Sequence, residues 1–261
     1  MDTSLRHSFE IQRRVIGALL MREVLTRFGR HNIGFLWLFV EPMIFTLGVA
    51  SLWSLIGVGH GHGISFAAFA VTGYSSVLLW RNIANRCTRA VEVNLALMHH
   101  RAVRVFDIFF SRAVLEIAGA TASFVVLGSL FYALGWMEPP ADVLQVLGGW
   151  LILAWFGTSL GLFMGSVSER NEVVEKLWHP ITYLLFPLSG AGFMVDWLPP
   201  SFREVVLWLP MVHGLEILRG GFFGSAVHAH FDLPYVLAVC LGLTLVGLAQ
   251  CRIVSRQVTP E

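Results

Sequence analysis

The chain has 261 residues, of which 56% are hydrophobic and only 13% charged. A soluble domain is usually about one-quarter charged, so lipid is the expected solvent for most of this chain, which argues against a water-soluble enzyme. The net charge of +1 hides an uneven placement of Lys and Arg, and that placement carries the orientation.

Residues 1–33 come first. On a helical wheel Leu5, Phe9, Val15, Ile16, Leu19 and Leu20 fall within about half the circumference, with Arg6, Arg14 and Arg22 at or beyond its edge. This predicts an amphipathic interface helix on the cytoplasmic leaflet, its arginines among lipid phosphates. Gln12 and Arg13 intrude on the apolar stripe, and a helix docked on protein with a solvated basic face is the competing reading.

A membrane-spanning helix needs roughly 20 mainly apolar residues. Six windows meet that demand: residues 34–58, 64–80, 109–136, 143–167, 177–195 and 233–251. Their apolar runs are continuous, as in helices, where a barrel strand would alternate apolar and polar residues. The fold class predicted is therefore an all-α integral membrane protein. Its six-span domain covers 34–252, and a short cytoplasmic tail covers 253–261. Sixteen of the 18 basic residues lie before the first span, in the second-to-third connection and just after it, after the fourth span, or after the last. By the positive-inside rule that side is cytoplasmic, and both termini lie there. The first apolar run starts too late, and is too long, for a cleaved signal peptide.

Between the second and third spans, residues 81–105 are too polar to cross and suit a short cytoplasmic helix offered to a partner. Between the fifth and sixth spans, residues 196–230 hold two apolar stretches, 202–209 and 211–223, separated by Pro210 and individually too short to cross. Ser201 and Glu204 have capping-box spacing. Two short extracytoplasmic helices, interfacial or re-entrant, are expected, and a re-entrant pair implies a pathway beside it. Glu216 and Arg219, three apart, are expected to pair, with His213 one turn earlier and Gly220 and Gly221 beyond.

Little of the remaining chemistry points to catalysis. "GTSLG", residues 157–161, has the Gly-x-Ser-x-Gly spacing of a serine hydrolase, which would make Ser159 an intramembrane nucleophile. A nucleophile elbow needs a strand-to-helix turn, however, and Gly157, Gly161 and Gly165 also form two Gly-x-x-x-Gly steps suited to close helix packing. His60, His62, His99, His100, His228 and His230 lack a third ligand at metal-site spacing, so no metal is expected. Arg112 and Glu116, four apart, should pair within the third span, and Glu41 beside Pro42 in the first should face a cavity. No Walker A motif is present, and the one lysine, Lys176, stands between Glu175 and Leu177. ATP and Mg, if used, belong to a partner ATPase, and this chain needs no cofactor of its own.

Three strings carry a family resemblance: "ALLMREVLTRFGRHNIGFLWLFVEPM", "NLALMHHRAVRVFDIFFSRAVLE" and "LPMVHGLEILRGGFFG". In this order, at this length and hydropathy, they closely resemble the permease subunit of capsule polysaccharide ABC exporters, the KpsM type. The resemblance covers nearly the whole chain. It implies a homodimer with two copies of a nucleotide-binding ATPase in the inner membrane of Gram-negative bacteria. Lipid-linked capsular polysaccharide would be the cargo, and a periplasmic co-polymerase and an outer-membrane export protein further partners, with no nucleic acid involved. It makes residues 81–105 the ATPase-coupling segment, with Asn94, Leu95, Leu97 and Met98 in the contact, and makes His213, Glu216 and Arg219 part of an extracytoplasmic gate. Arg13, Arg14, Arg27 and Arg30 would engage lipid head groups where the substrate comes in. Sugar rings stack on aromatic side chains, so Trp37, Phe45, Trp53, Trp80, Trp178, Tyr183 and Phe186 are candidates for the channel wall; interfacial anchoring is the other common use of such residues. Export of O-antigen or teichoic acid remains open within the same class. An intramembrane serine protease, or a channel or scaffold without ATP coupling, remains open outside it.

Overall fold

The structure, a computed structural model, describes residues 5–28, 40, 43–44, 46–48, 51–52, 64–98 and 103–258. Among these the regular elements are all helical. They are α1 (Leu5–Phe28), α2 (Phe66–Cys87), α3 (Val105–Ala133), α4 (Val143–Ser168), α5 (Glu172–Leu188), α6 (Pro200–Val206), α7 (Pro210–Phe223) and α8 (Leu233–Val258). A 3-10 turn, Glu92–Asn94, and a one-turn helix, Leu95–Met98, lie between α2 and α3.

The expected first span, with Glu41 and Pro42, falls largely outside the described residues. Of the described helices, α3, α4 and α8 are long and apolar enough to cross a membrane; α6 and α7, bent by 108° at Pro210, make a fourth if counted as one broken span. The helix α2 runs on past Trp80 through Arg81, Asn82, Asn85 and Arg86, because nothing in that polar stretch breaks a helix. The helix α5 starts at Glu172 rather than 177, on an Asn171 cap that accepts from the Val173 amide at 2.9 Å, and it ends at Leu188 before Gly190, whose φ is +84°. The described part of the connection 81–105, expected to be one short helix, is thus the end of α2, a turn and two fragments. The expected Ser201–Glu204 capping box is not used: α6 begins at Pro200, which has no amide hydrogen to satisfy, after Pro199 at the cap.

The helix α4 is the hub, packed on α2, α7 and α8. Its glycines allow this. A Cβ on Gly157 would lie 2.8 Å from the Trp80 Cα, and one on Gly149 would lie 2.6 Å from the Leu218 amide, so helix backbones press directly against the α4 surface. Ser159 is 1% exposed; its hydroxyl donates to the Trp155 carbonyl and shares a 2.8 Å hydrogen bond with Thr244 Oγ1 of α8. Those contacts supply no base, and the serine ties α4 to α8. Trp80, Phe131, Trp150, Phe156 and Leu218 fill the main core, while Leu19, Cys87, Met98, Val105 and Phe109 fill a second core at the basic end.

Candidate functional site

The helices α2 and α5 together present a polar and aromatic face. On α2 it comprises Tyr74, Arg81 and Asn85, seven and four residues apart and so on one side of the helix. On α5 it comprises Trp178, Thr182, Tyr183 and Phe186. The Arg81 guanidinium lies 5.2 Å from the Tyr183 ring centroid, and Tyr74 meets Phe186 edge-on at 5.7 Å. Arg81 Nε, Asn85 Oδ1 and Trp178 Nε1 are buried with no hydrogen-bond partner among the described residues. All three atoms are enclosed, so they mark unmet hydrogen-bonding capacity where α2 and α5 meet. Tyr183 is 66% exposed, and beside it Leu177, Ile181, Leu184 and Leu188 make an exposed apolar stripe on α5. Of the other expected channel residues, Trp80 is 1% exposed and packs on Phe156 inside the protomer, which removes its ring from any open wall. Trp37, Phe45 and Trp53 lie outside the described residues.

At the end of the bundle that carries α6 and α7, His213, Glu216 and Arg219 are all buried. The expected Glu216–Arg219 ion pair is replaced by backbone contacts. The Arg219 guanidinium donates to the carbonyls of Gly190, Phe193 and Ala191, each at 2.7 Å, and lies 3.9 Å over the Phe69 ring. Glu216 accepts from the amides of Val195 at 3.1 Å and His230 at 3.0 Å. His213 Nδ1 accepts from the Asp232 amide at 2.9 Å, so the neutral ring donates through Nε2 to the Leu207 carbonyl at 2.7 Å. These three residues therefore fasten the turn after α5, the end of α6 and the segment before α8 to one helix. Outside this core, a 3.0 Å contact from His230 holds the Asp196 carboxyl below its ordinary range.

At the basic end, α1 docks on α3 through Val15 and Leu19. Gln12, which interrupts the apolar stripe, faces inward and donates to Asp107 of α3. Arg13 and Arg14 are exposed, and Arg30 and the Arg27 side chain lie outside the described part. Arg112 and Glu116 reach other helices: Arg112 Nε lies 3.2 Å from Glu23 of α1, and Glu116 lies 3.5 Å from Arg86 of α2. In the connection, Asn94 and Met98 are buried, Leu95 is 44% exposed, and the Leu97 side chain lies outside the described part. Val93, 66% exposed, is the apolar surface residue that the sequence reading missed.

This connection is strapped to the corner between α4 and α5. Glu169 accepts from the Val91 amide at 2.7 Å and the Glu92 amide at 3.2 Å. Arg89, with φ at +51°, makes a bidentate contact to Glu92 at 2.6 and 2.8 Å and lies 3.5 Å from Glu175 of α5. Burial pushes the Glu169 carboxyl above its ordinary range, and the two amides pull it part of the way back. The hydrogen bond from Arg89 holds Glu92 below its ordinary range. Only the acidic residue just past α4 signalled Glu169 in the sequence, and its partners lie 77 and 78 residues away.

A family model described as "ABC-2 type transporter" matches residues 14–223. The chain belongs to that family. This ABC-2 chain is 44% identical over 259 residues to the capsule polysaccharide export inner-membrane protein CtrC of Neisseria meningitidis serogroup B, covering 99% of this chain and 98% of that one. It is 39% identical to the capsule polysaccharide export inner-membrane protein BexB of Haemophilus influenzae, over 100% and 98% of the two chains. It is also 27% identical to the polysialic acid transport protein KpsM of Escherichia coli, over 95% and 96%. The resemblance drawn from three strings thus extends along the full ABC-2 chain.

Proposed function

We propose that this chain is the membrane-spanning subunit of an ATP-driven exporter that moves lipid-linked capsular polysaccharide across the bacterial inner membrane. The observation that carries the reading is the end-to-end identity with capsule export inner-membrane proteins. The α2–α5 face fits the cargo, since the exposed Tyr183 ring suits sugar C–H faces and the half-buried Arg81 and Asn85 side chains suit sugar hydroxyls. Two copies face one another across this wall, with the exposed Leu177, Ile181, Leu184 and Leu188 stripe at the contact. Counting α2 and α5 as spans beside α3, α4 and α8, with the apolar run 34–58 of the sequence as the first, gives six spans with both termini in the cytoplasm.

Two ATPase subunits dock on Val93 and Leu95, and the Glu169 and Arg89 straps carry their motion to α5. At the opposite end, α7 with His213, Glu216 and Arg219 is the fixed frame of the gate and α6 its moving part. A periplasmic co-polymerase and an outer-membrane export protein continue the route. The test is deletion of the gene in its own host. Loss of surface capsule with lipid-linked polymer retained inside, restored by the wild-type chain and by Ser159→Ala, is the expected result. Normal capsule with a different surface polymer lost would move the substrate to that polymer; failure of Ser159→Ala to restore export would reopen a role for the serine.

A further inference from the structure

Where α1, the end of α2, the connecting turn and α3 meet, a cavity of about 270 Å³ is lined by Arg22, Glu23, Thr26, Arg86, Asn94 and Arg112 together with Val93. Three guanidinium groups from three different helices converge on it. Their geometry is built rather than incidental. Arg112 Nη1 donates to the Arg86 carbonyl at 2.6 Å, Arg22 donates to the Asn94 side chain, and Thr26 caps the wall by donating to the Arg22 carbonyl at 2.9 Å. Two carboxylates answer the three positive charges: Glu116 beside Arg86, and Glu23 beside Arg112 with its side chain 13% exposed. Among the described residues, Arg22 takes part in no ion pair. Glu23 is the only one of the two that lines the cavity, so an anion already occupies the Arg112 position and comes from the chain itself.

We propose that this cavity binds a phosphate group of an anionic lipid, and that Glu23 is the internal anion which that phosphate displaces. Guanidinium forks approaching from several directions match a tetrahedral phosphate, whose oxygens can each accept more than one hydrogen bond. A single carboxylate such as Glu23 satisfies only part of that set. The cavity sits at the basic end of the bundle and takes Arg22 from α1, the helix that also carries exposed Arg13 and Arg14. By the positive-inside rule this end faces the cytoplasmic leaflet, whose anionic head groups attract such a basic cluster. The site differs from the expected cluster of Arg13, Arg14, Arg27 and Arg30, since its arginines come from three helices and Arg112 is buried. It does not rest on the export reading, and the anion site stands or falls on binding alone.

The test uses the purified full-length chain in neutral detergent, with retained lipid counted by native mass spectrometry. The probes are phosphatidic acid, phosphatidylcholine and an uncharged diacylglycerol. Phosphatidic acid should be retained in preference to the other two. Arg86→Gln, at a half-exposed position, should lower that retention by about fivefold, and Glu23→Gln should raise it by a similar factor. Glu10→Gln, exposed on the same helix, makes the same charge change away from the cavity and should leave retention within about twofold. Displacement by millimolar inorganic phosphate would assign the site to a free phosphate and overturn the lipid assignment; resistance to it supports the lipid. Equal effects of Glu23→Gln and Glu10→Gln would overturn the proposal and leave Glu23–Arg112 as a structural ion pair. If Arg86→Gln melts early or fails to fold, Arg22→Gln takes its place under the same expectations. Because no export is measured, a negative result leaves the transport reading untouched.

Discussion

The Arg219 guanidinium lies 3.9 Å over the Phe69 ring while donating to three carbonyls of the turn that follows α5. One buried cation thus joins α7, α2 and that turn. The fit is tight, since a Cβ on Gly73 of α2 would stand 2.5 Å from the Ala191 carbonyl oxygen. Removing the guanidinium strands the carbonyls in a dry site, each at a cost of about 1–3 kcal/mol. Arg219→Met is therefore expected to cost about 3 kcal/mol or more, and Arg219→Lys, which keeps the charge and loses the fork, about half as much. Thermal unfolding in detergent checks both. A Lys variant as damaging as Met would show that the planar fork, rather than the charge, holds the turn.

The apolar runs fixed α3, α4 and the start of α8 within a few residues, although α8 runs on to Val258 through the expected tail, and Pro210 marked the break between α6 and α7, because these features are local. Partners were less legible. The i,i+3 spacing of Glu216 and Arg219 says that they share a face, and nothing in it says that residues 190–195 would bring carbonyls and an amide to that face. Arg112 and Glu116 were misread for the same reason: their counter-charges arrive from α1 and α2. Gln12 looked like a flaw in an apolar stripe until Asp107 of α3 appeared opposite it. Within the coupling connection, the backbone turn at Arg89 decides which side chains face out, and a helical wheel drawn through 81–105 cannot follow a residue at positive φ.

The gate reading separates two helices by their attachments. The residues of α7 are tied at His213, Glu216 and Arg219, whereas Phe202, Val205 and Trp208, on and just after α6, are exposed at 64%, 65% and 76%. Arg203 holds α6 by a 3.0 Å bond to the Asp196 carbonyl. A cysteine at position 205 should therefore change its reactivity toward an impermeant thiol reagent when the assembled exporter is trapped with ATP. A cysteine at position 217 of α7 should stay unreactive in both states. Movement reported from position 217 would mean that α7 swings with the gate and that its anchors break in the cycle.

Contact with the ATPase is expected on Val93 and Leu95, the large apolar side chains exposed among the described residues of the connection. Val93→Asp and Leu95→Asp should each weaken co-purification of the ATPase by about tenfold while leaving the melting temperature within a few degrees, since neither fills the core. Met98→Asp should instead lower the melting temperature, because Met98 packs among Cys87, Val105 and Phe109. Pull-down and melting curves on the three variants distinguish a docking defect from a folding defect. Retained ATPase in both surface variants would remove Val93 and Leu95 from the interface.

The last expectation follows from Glu169. Its carboxylate accepts the Val91 and Glu92 amides, and burial raises its folded pKa above the unfolded value of about 4.3. A carboxyl group with a raised folded pKa binds its proton more tightly in the folded state. Its ionisation therefore opposes folding at neutral pH, and that opposition is relieved as pH falls through the folded value toward the unfolded one. Glu169→Gln keeps an oxygen acceptor and has no charge to desolvate, so it differs from wild type mainly while Glu169 is ionised. The stability gap between Glu169→Gln and wild type should accordingly shift in favour of wild type between neutral pH and about pH 4. Melting curves of both proteins across that window measure it. The same substitution should lower transport-coupled ATP hydrolysis in the assembled exporter at neutral pH, since the strap between the connection and the corner before α5 is weakened from a charge-assisted bond to a neutral one. A gap that stays flat with pH would mean that Glu169 is not the titrating group, and unchanged coupled hydrolysis would leave Arg89 and Glu175 as the strap that matters.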